Sequence, residues 1–226
     1  MKRTFENYFI IGLLFVCFTS FKRVGDIKKQ LVLNSNNTLV KTTNLLLKDS
    51  TGYINNTFLS ARINNSKKTF NIRYNVYKDE MEIKENDTIY FLPKNIGFTI
   101  NFQNIDKAYQ VFRSSLKNKE SYFVLLFKGN KLSLLLKERI DVQTRFIARK
   151  GFVGYLPPTL TRLKDLFYVG YTNDSTSLQL PIRKKYFYNL FLDKSSSVAS
   201  FTKRNKLNYK KKKDLIKIFA YYNSLK

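Results

Sequence analysis

The chain has no histidine, no tryptophan and a single cysteine among its 226 residues. The absence of histidine excludes the usual general base, serine activation by imidazole and imidazole metal ligation. A lone cysteine excludes an intramolecular disulfide and a site of several thiolates. No glycine-rich phosphate-binding loop is present. These absences disfavour an enzyme, and we predict no catalytic residue, no metal and no other cofactor.

Acidic residues are also few, with 16 Asp and Glu against 41 Lys and Arg. The densest acidic group runs from Asp79 to Asp87. Within it, Glu80 and Glu82 alternate along a predicted strand and therefore share one of its faces. Two carboxylates flanking a sugar are what a glycoside hydrolase uses. A solvated strand face whose acids pair with lysines is the simpler interpretation, and we keep the hydrolase as an alternative.

The N-terminus has the pattern of an export signal. Lys2 and Arg3 precede an uncharged and nearly continuous apolar run from Tyr8 to Phe21, which matches the n-region and h-region of a secretory signal peptide. The run is shorter than the roughly 20 apolar residues that a membrane-spanning helix needs. We therefore predict a signal peptide at 1–25 and export of the rest of the chain.

Cys17 lies at the end of this apolar run, where bacterial lipoproteins carry their acylated cysteine. Lipoproteins place small residues just before that cysteine, whereas Phe15 and Val16 stand there in this chain. Lipidation of Cys17 is therefore kept as an alternative. Ordinary cleavage near 19–25 is preferred, and it would remove the cysteine altogether.

The chain is 43% hydrophobic and 15% aromatic, which is enough for a buried core. Residues 26–180 are predicted to form a β-rich domain. Short runs of β-branched, aromatic and apolar residues alternate with turn-forming residues. We expect an antiparallel meander folded into a curved sheet, a sandwich or a partly closed barrel. A three-residue loop is predicted at 85–87, a two-residue turn at Gly129–Asn130, and a long irregular loop at 145–162. The predicted strands are Leu45–Lys48, Phe58–Asn64, Thr69–Tyr77, Glu80–Lys84, Thr88–Leu92, Phe98–Phe102, Ala108–Phe112, Tyr122–Lys128, Lys131–Lys137, Asp165–Tyr171 and Ser177–Leu180.

In the final segment, 181–226, the hydrophobic period becomes helical. Pro181 suits a helix start, Ser195–Ser197 can cap a second helix, and Asn208 can cap a third. The fold class predicted for the whole chain is therefore α+β, with short C-terminal helices after the β-rich body. The apolar residues at helical spacing, which make the three predicted helices amphipathic, are Tyr186, Phe187, Leu190, Phe191, Val198, Phe201, Leu215, Ile216, Phe219 and Tyr222.

Positive charge is concentrated in the same segment. The chain has a net charge of +25, and 181–226 holds thirteen Lys or Arg but two Asp, a net of +11. Such a balance favours anionic partners, although AT-rich codon usage is an alternative source of general basicity. A helix beginning at Asn208 would put Lys210–Lys213 against its dipole, so either the helix begins nearer Asp214 or the run serves a partner. The candidate anion-binding residues are Arg183, Lys184, Lys185, Lys203, Arg204, Lys206, Lys210, Lys211, Lys212 and Lys213.

Several stretches resemble an uncharacterised family of exported proteins from Bacteroidota, especially flavobacteria. They are TGYINNTFL (51–59), FNIRYNVYKDEMEI (70–83), TIYFL (88–92) and NKLNYKKKKDLIKIFAYYNSL (205–225). The resemblance implies an exported compartment and supplies no catalytic or binding residue. Exported proteins of these bacteria are O-glycosylated at Asp-Ser/Thr-apolar or Asp-Ser/Thr-Thr triplets, which makes Ser50, Thr88 and Ser175 candidate glycosylation sites.

We therefore expect a non-enzymatic exported protein of the periplasm or associated with the outer membrane. Its expected partner is an anionic glycolipid or glycan surface or another envelope protein, and peripheral membrane association is compatible with that expectation. Nucleic-acid binding by the basic helices is an alternative, because Tyr186, Tyr188 and Tyr209 are interleaved with basic residues; export argues against it. A hydrolase using Glu80 or Glu82 is the other alternative.

Overall fold

The structure is a computed structural model that describes residues 52–86, 88–143, 146–149, 152–155 and 158–225. The predicted signal peptide, Cys17, Ser50 and the predicted strand Leu45–Lys48 lie outside these residues. The described strands are β1 (Leu59–Ile63), β2 (Thr69–Asn75), β3 (Glu80–Glu85), β4 (Thr88–Phe91), β5 (Thr99–Phe102), β6 (Lys107–Ser114), β7 (Lys119–Phe127), β8 (Leu132–Gln143), β9 (Phe146–Arg149), β10 (Phe152–Tyr155), β11 (Thr159–Tyr171) and β12 (Thr176–Gln179).

Ten of these strands form one sheet in the order β12-β11-β8-β7-β6-β5-β1-β2-β3-β4. Every neighbouring pair within that order is antiparallel, and β9 and β10 make a separate hairpin. The predicted α+β class, with an antiparallel β-rich body and short C-terminal helices, is confirmed.

Half of the sheet closes into a ring of five strands, because β12 also pairs with β6 in a short parallel ladder. The Ser115 backbone N–H and hydroxyl both donate to the Ser177 carbonyl, at 2.9 and 2.6 Å. Inside the ring, Phe112, Phe123 and Leu135 form a buried cluster. A Cβ at Gly170 would lie 2.7 Å from the Phe112 ring and 2.9 Å from Leu135, so glycine allows β11 to pack closely on this cluster.

The other half of the sheet, β5-β1-β2-β3-β4, continues from β6 and curls back over β7 and β8. Its inner face carries the largest buried cluster, which includes Ala61, Ile72, Met81, Ile100 and Val111. β2 and β8 are far apart in the strand order, yet the Lys137 ammonium of β8 lies 3.3 Å from the Tyr74 hydroxyl of β2. The curvature of the sheet therefore produces a second core beside the ring.

The C-terminal segment contains three helices, α1 (Lys184–Asn189), α2 (Ser195–Arg204) and α3 (Lys212–Ser224), with a 3₁₀ turn at Leu192–Lys194. Their apolar faces form one cluster with residues of β8, β11 and the end of β12. The Asn223 side-chain amide fastens α3 to β8, accepting from the Lys131 N–H at 2.9 Å and donating to the Leu132 carbonyl at 2.9 Å. The segment is thus packed on the β-rich body.

The structure corrects three predictions about the β-rich body. Within 145–162, predicted as one irregular loop, the chain forms β9, β10 and the first residues of β11. β8 extends to Gln143, six residues beyond its predicted end, because its charged second half pairs with β11. Charged residues lower the local signal for a strand, whereas the ladder with a partner strand stabilises it. The loop predicted at 85–87 is also one residue shorter, since Thr88 already pairs with Glu85.

The predicted helix starts are corrected as well. α1 begins at Lys184, three residues after Pro181, and α2 begins at Ser195 without a side-chain cap. Asn208 does not cap α3, which begins at Lys212. The Asn208 side chain instead accepts from the Lys210 N–H at 2.9 Å, while its own N–H donates to the Asp214 carboxylate at 2.9 Å. The carboxylate in the first turn of α3 thus organises the turn before the helix.

Candidate functional site

A cleft of about 700 Å³ lies in the C-terminal segment, between α1, α2 and the 205–210 connection. Lys184 and Tyr188 enter it from α1, and Lys203 enters it from α2. No acidic side chain contributes to the described lining. The residues that line it are Lys184, Tyr188, Ala199, Ser200, Thr202, Lys203, Lys206, Leu207, Asn208, Tyr209 and Lys210.

The floor of the cleft is built by the C-terminal end of α2. The Leu207 N–H donates to the Thr202 carbonyl at 2.9 Å and the Lys206 N–H donates to the Lys203 carbonyl at 3.1 Å. These two bonds are those of a Schellman motif, whose C′ position is usually glycine because it requires a left-handed backbone. Lys206 occupies that position with φ 50°. A cationic side chain therefore stands where a local preference would place glycine.

Tyr209 ties the connection to α1. Its hydroxyl donates to the Ile182 carbonyl at 3.2 Å, and its ring centroid lies 5.1 Å from that of Phe187, which is fully buried. The Lys210 ammonium lies 5.7 Å from the Tyr209 ring centroid, in the range of a cation–π contact. The packing of Tyr209 thus holds Lys210 and Lys206 on the same connection beside α1.

The structure brings together four of the ten predicted anion-binding residues, Lys184, Lys203, Lys206 and Lys210. All ten are exposed, and within the described part of the chain none forms an ion pair. The six that do not line the cleft are Arg183, Lys185, Arg204, Lys211, Lys212 and Lys213.

The two acids of 181–226 form no ion pair with the four described cleft lysines. The Asp193 carboxylate lies 3.1 Å from the Lys194 ammonium, and Asp214 accepts from the Asn208 backbone. Neither acid is part of the cleft lining. The cleft is therefore a concentration of unpaired positive charge, held in place by helices that are anchored in the core.

Buried acids of the β-rich body have hydrogen-bond partners within the protein, as Glu82 illustrates. Glu82 is buried and accepts from the Tyr53 hydroxyl at 2.8 Å and from Arg73 Nε at 3.0 Å. The Arg73 guanidinium lies between the rings of Tyr53 and Phe58, 3.9 and 4.3 Å from their centroids. Both oxygens of Glu82 thus already accept hydrogen bonds. The predicted solvated strand face is wrong at this residue, because Glu82 is buried and its partners are an arginine and a tyrosine. Glu80 is half-buried on the same strand.

A second polar group surrounds Asp79. Asp79 is part of the acidic group named in the sequence analysis, but its partners were not predicted. Its carboxylate lies 2.7 Å from the Lys137 ammonium and 3.1 Å from that of Lys94. Burial alone would raise the pKa of Asp79, but the two ammonium groups outweigh burial and hold it below its usual range. Burial lowers the pKa of Lys137. Lys137 also donates to the Tyr122 carbonyl at 2.9 Å, so this group joins the β2–β3 turn to β7 and β8.

A third group surrounds Glu138, which is buried on β8. Its carboxylate accepts from the Tyr109 hydroxyl at 2.5 Å and from the Lys107 ammonium at 2.7 Å. Arg162 lies 3.6 Å away. Burial and the neighbouring Glu138 raise the pKa of Tyr109 far above its ordinary value. Every member of this group has a partner in the protein, which marks it as a structural network.

Two candidate glycosylation residues lie at the surface of the β-rich body. Thr88 is exposed and is the first residue of the edge strand β4. Ser175 is half-buried in the β11–β12 turn, with φ 53°, and the neighbouring Asp174 carboxylate accepts from the Thr176 hydroxyl at 2.7 Å. Among the described residues there is no cluster of three or more His, Cys, Asp or Glu suited to a metal ion.

Comparison with known proteins finds no matching family model, no matching curated protein and no matching solved structure. In the part of the chain that the structure describes, no helix is both long enough and apolar enough to cross a membrane. A functional proposal therefore depends on the chain's own geometry and charge, and the basic cleft is the site that they favour.

Proposed function

We propose that this protein is a non-enzymatic exported protein that binds an anionic component of the cell envelope through the cleft of its C-terminal helices. The observation that carries the proposal is the grouping of Lys184, Lys203, Lys206 and Lys210 around one cleft without a carboxylate in its described lining. Phosphate and carboxylate groups of envelope glycans and lipids have the charge that such a site attracts. The export-signal pattern of residues 1–25 supports a partner in the periplasm or at the outer membrane.

The absence of acids from the described lining of the cleft supports this proposal. In the β-rich body, buried acids are matched by Arg73, Lys107 and Lys137. In the helical segment, the candidate cations are exposed and unmatched. Like charges held close together repel and destabilise a compact state. General basicity from codon usage would not by itself gather four lysines around one cleft.

Nucleic-acid binding is the weaker alternative. Single-strand binding uses aromatic rings on which bases stack. The rings of Tyr188 and Tyr209, which line the cleft, instead pack on Phe187 inside the protein. The cleft thus offers charge more readily than a stacking platform.

The test is binding of the full chain to polyphosphate, a lipid-free polyanion, by isothermal titration calorimetry. Replacing Lys184, Lys203, Lys206 and Lys210 by Gln should weaken binding by roughly tenfold or more, because exposed ion pairs are worth about 0.2–1 kcal/mol each and four of them together reach the free energy of a tenfold change. Wild-type binding should also weaken at high salt.

The matched control removes four exposed lysines of the β-rich body, Lys67, Lys84, Lys128 and Lys164. This variant has the same net charge as the cleft variant. It should bind polyphosphate about as tightly as the wild type. An equal loss in both variants would mean that total charge, rather than the cleft, governs binding, and would contradict the proposal.

A further inference from the structure

The most exposed large apolar side chains of the described residues are concentrated in one stretch of the C-terminal segment. They are Leu116 (77% exposed), Leu192 (76%), Ile182 (74%) and Tyr186 (51%), and the next most exposed is at 43%. Three of the four fall within 182–192, in the same segment as the basic cleft. Single exposed apolar residues are ordinary, whereas several in one stretch indicate an interaction surface.

This stretch is held rigidly against the protein by other residues. Phe187 and Phe191 are fully buried in the core beneath the helices. The Tyr209 hydroxyl donates to the Ile182 carbonyl, which fixes the start of the stretch against the 205–210 connection. Ile182, Tyr186 and Leu192 are therefore exposed on a well-anchored stretch, with no share in its core packing.

Leu192 adds a second observation, because its backbone is left-handed with φ 47°. That conformation is unfavourable for a residue with a branched side chain. The side chain gains little burial in return, since most of it is exposed. Burial within the described fold therefore does not account for a large apolar side chain at this position.

The cations of the same stretch indicate which kind of surface the stretch contacts. Arg183, Lys184 and Lys185 lie between Ile182 and Tyr186 and are exposed. Basic residues interspersed with exposed apolar and aromatic ones are typical of segments that lie in the interface of an anionic bilayer. A soluble glycan would satisfy the cations but offers no apolar phase for Leu192 and Ile182.

We propose that residues 182–192 dock the protein on the surface of a bilayer containing anionic lipids. The lysines and arginine contact the headgroups, while Ile182, Tyr186 and Leu192 enter the boundary of the acyl chains. This inference rests on the proposed function, since it names an anionic lipid surface as the envelope component. It describes peripheral docking, with the apolar side chains supplying what charge alone does not.

The absence of tryptophan makes the docking measurable. A Leu192→Trp variant of the full chain carries one tryptophan, and Leu116→Trp is its control at an equally exposed position of the β6–β7 turn. With vesicles of phosphatidylglycerol and phosphatidylcholine in equal parts, Leu192→Trp fluorescence should shift to the blue and be quenched by brominated acyl chains. The fluorescence of Leu116→Trp should not change. A Leu192→Trp spectrum unaffected by these vesicles would overturn the proposal.

A second experiment separates docking from anion binding. The Ile182→Ser/Leu192→Ser variant should lose roughly tenfold or more of its affinity for the same vesicles in a sedimentation assay, while Leu116→Ser should not. The affinity of the Ile182→Ser/Leu192→Ser variant for polyphosphate should stay at the wild-type value. An unchanged affinity also shows that the cleft is folded in this variant. Vesicle affinity unchanged in the double variant would overturn membrane docking and leave the proposed function intact. Wild-type protein that binds neither polyphosphate nor vesicles would overturn both.

Discussion

Lys206 joins local backbone geometry to the proposed site. It ends α2 in a left-handed conformation at the position of a Schellman motif where glycine is usual. For a residue with a Cβ, that conformation costs about 1–2 kcal/mol. The side chain lines the cleft and has no ion-pair partner among the described residues. Stability is thus lower than it would be with glycine, while the cleft has one more cation.

We therefore expect Lys206→Gly to raise the free energy of unfolding by up to about 1 kcal/mol and to weaken polyphosphate binding. Chemical denaturation followed by circular dichroism measures the first effect, and calorimetry measures the second. Lys203→Gly is the control, because Lys203 also lines the cleft but lies in the helix, where glycine costs about 0.5–1 kcal/mol. A Lys206→Gly protein less stable than the wild type would show that the backbone strain at this position is not relieved.

At the scale of the element, α3 begins with an unfavourable charge arrangement. Lys211 precedes it, Lys212 and Lys213 lie in its first turn, and Asp214 is the acid of that turn. Cations at a helix N-terminus are opposed by the helix dipole. The apolar side chains of Leu215, Ile218 and Phe219, which are fully buried, hold the helix in place against this cost.

Replacing Lys212 by Glu should therefore raise the free energy of unfolding by about 0.3–1 kcal/mol at low salt. The gain should shrink at high salt, where the dipole is screened. Lys217→Glu makes the same change of charge at an exposed position in the middle of α3 and should bring no gain. If thermal unfolding shows equal stabilisation by both variants, relief of the general positive charge is the cause and the dipole explanation is wrong.

Elements also differ in how far the sequence predicts them. The β11–β12 pair around 172–175 and the apolar helix faces with Phe187, Phe191 and Phe219 were predicted correctly, because apolar periodicity and turn residues are local signals. Tyr186 was given at the same helical spacing as Phe187, yet it is 51% exposed. The second half of β8 was missed, since Glu138 is buried there only through its contacts with Tyr109 and Lys107. Such partners are distant in sequence and leave no local pattern.

For the whole molecule, the group around Asp79 holds the curled sheet together. It joins the β2–β3 turn to Lys137 on β8 and to Lys94 after β4. The pKa of Asp79 in the folded protein lies below its ordinary value because the two ammonium groups outweigh burial. A carboxyl group whose pKa is lower in the folded than in the unfolded protein stabilises the fold at pH values above its unfolded pKa. For Asp that unfolded pKa is about 3.9. That contribution is lost as the pH falls through the folded pKa.

We accordingly expect the wild-type protein to lose stability on acidification below about pH 4. Asp79→Asn should be less stable by about 1–3 kcal/mol at neutral pH, and its stability should depend less on pH in the acid range. Urea unfolding at a series of pH values measures both effects, with Asp106→Asn, a change at an exposed acid, as the control. Parallel pH profiles for wild type and Asp79→Asn would contradict this assignment.

The sequence by itself determined the charge distribution, the absence of histidine chemistry and the order of a β-rich body before short helices, because these follow from composition and local periodicity. The tertiary structure decided which charges meet. It grouped Lys184 with Lys203, Lys206 and Lys210 around one cleft, and it placed Glu82 against Arg73. Both outcomes depend on the curvature of the sheet and the docking of helices, which arise from contacts between residues far apart in the chain.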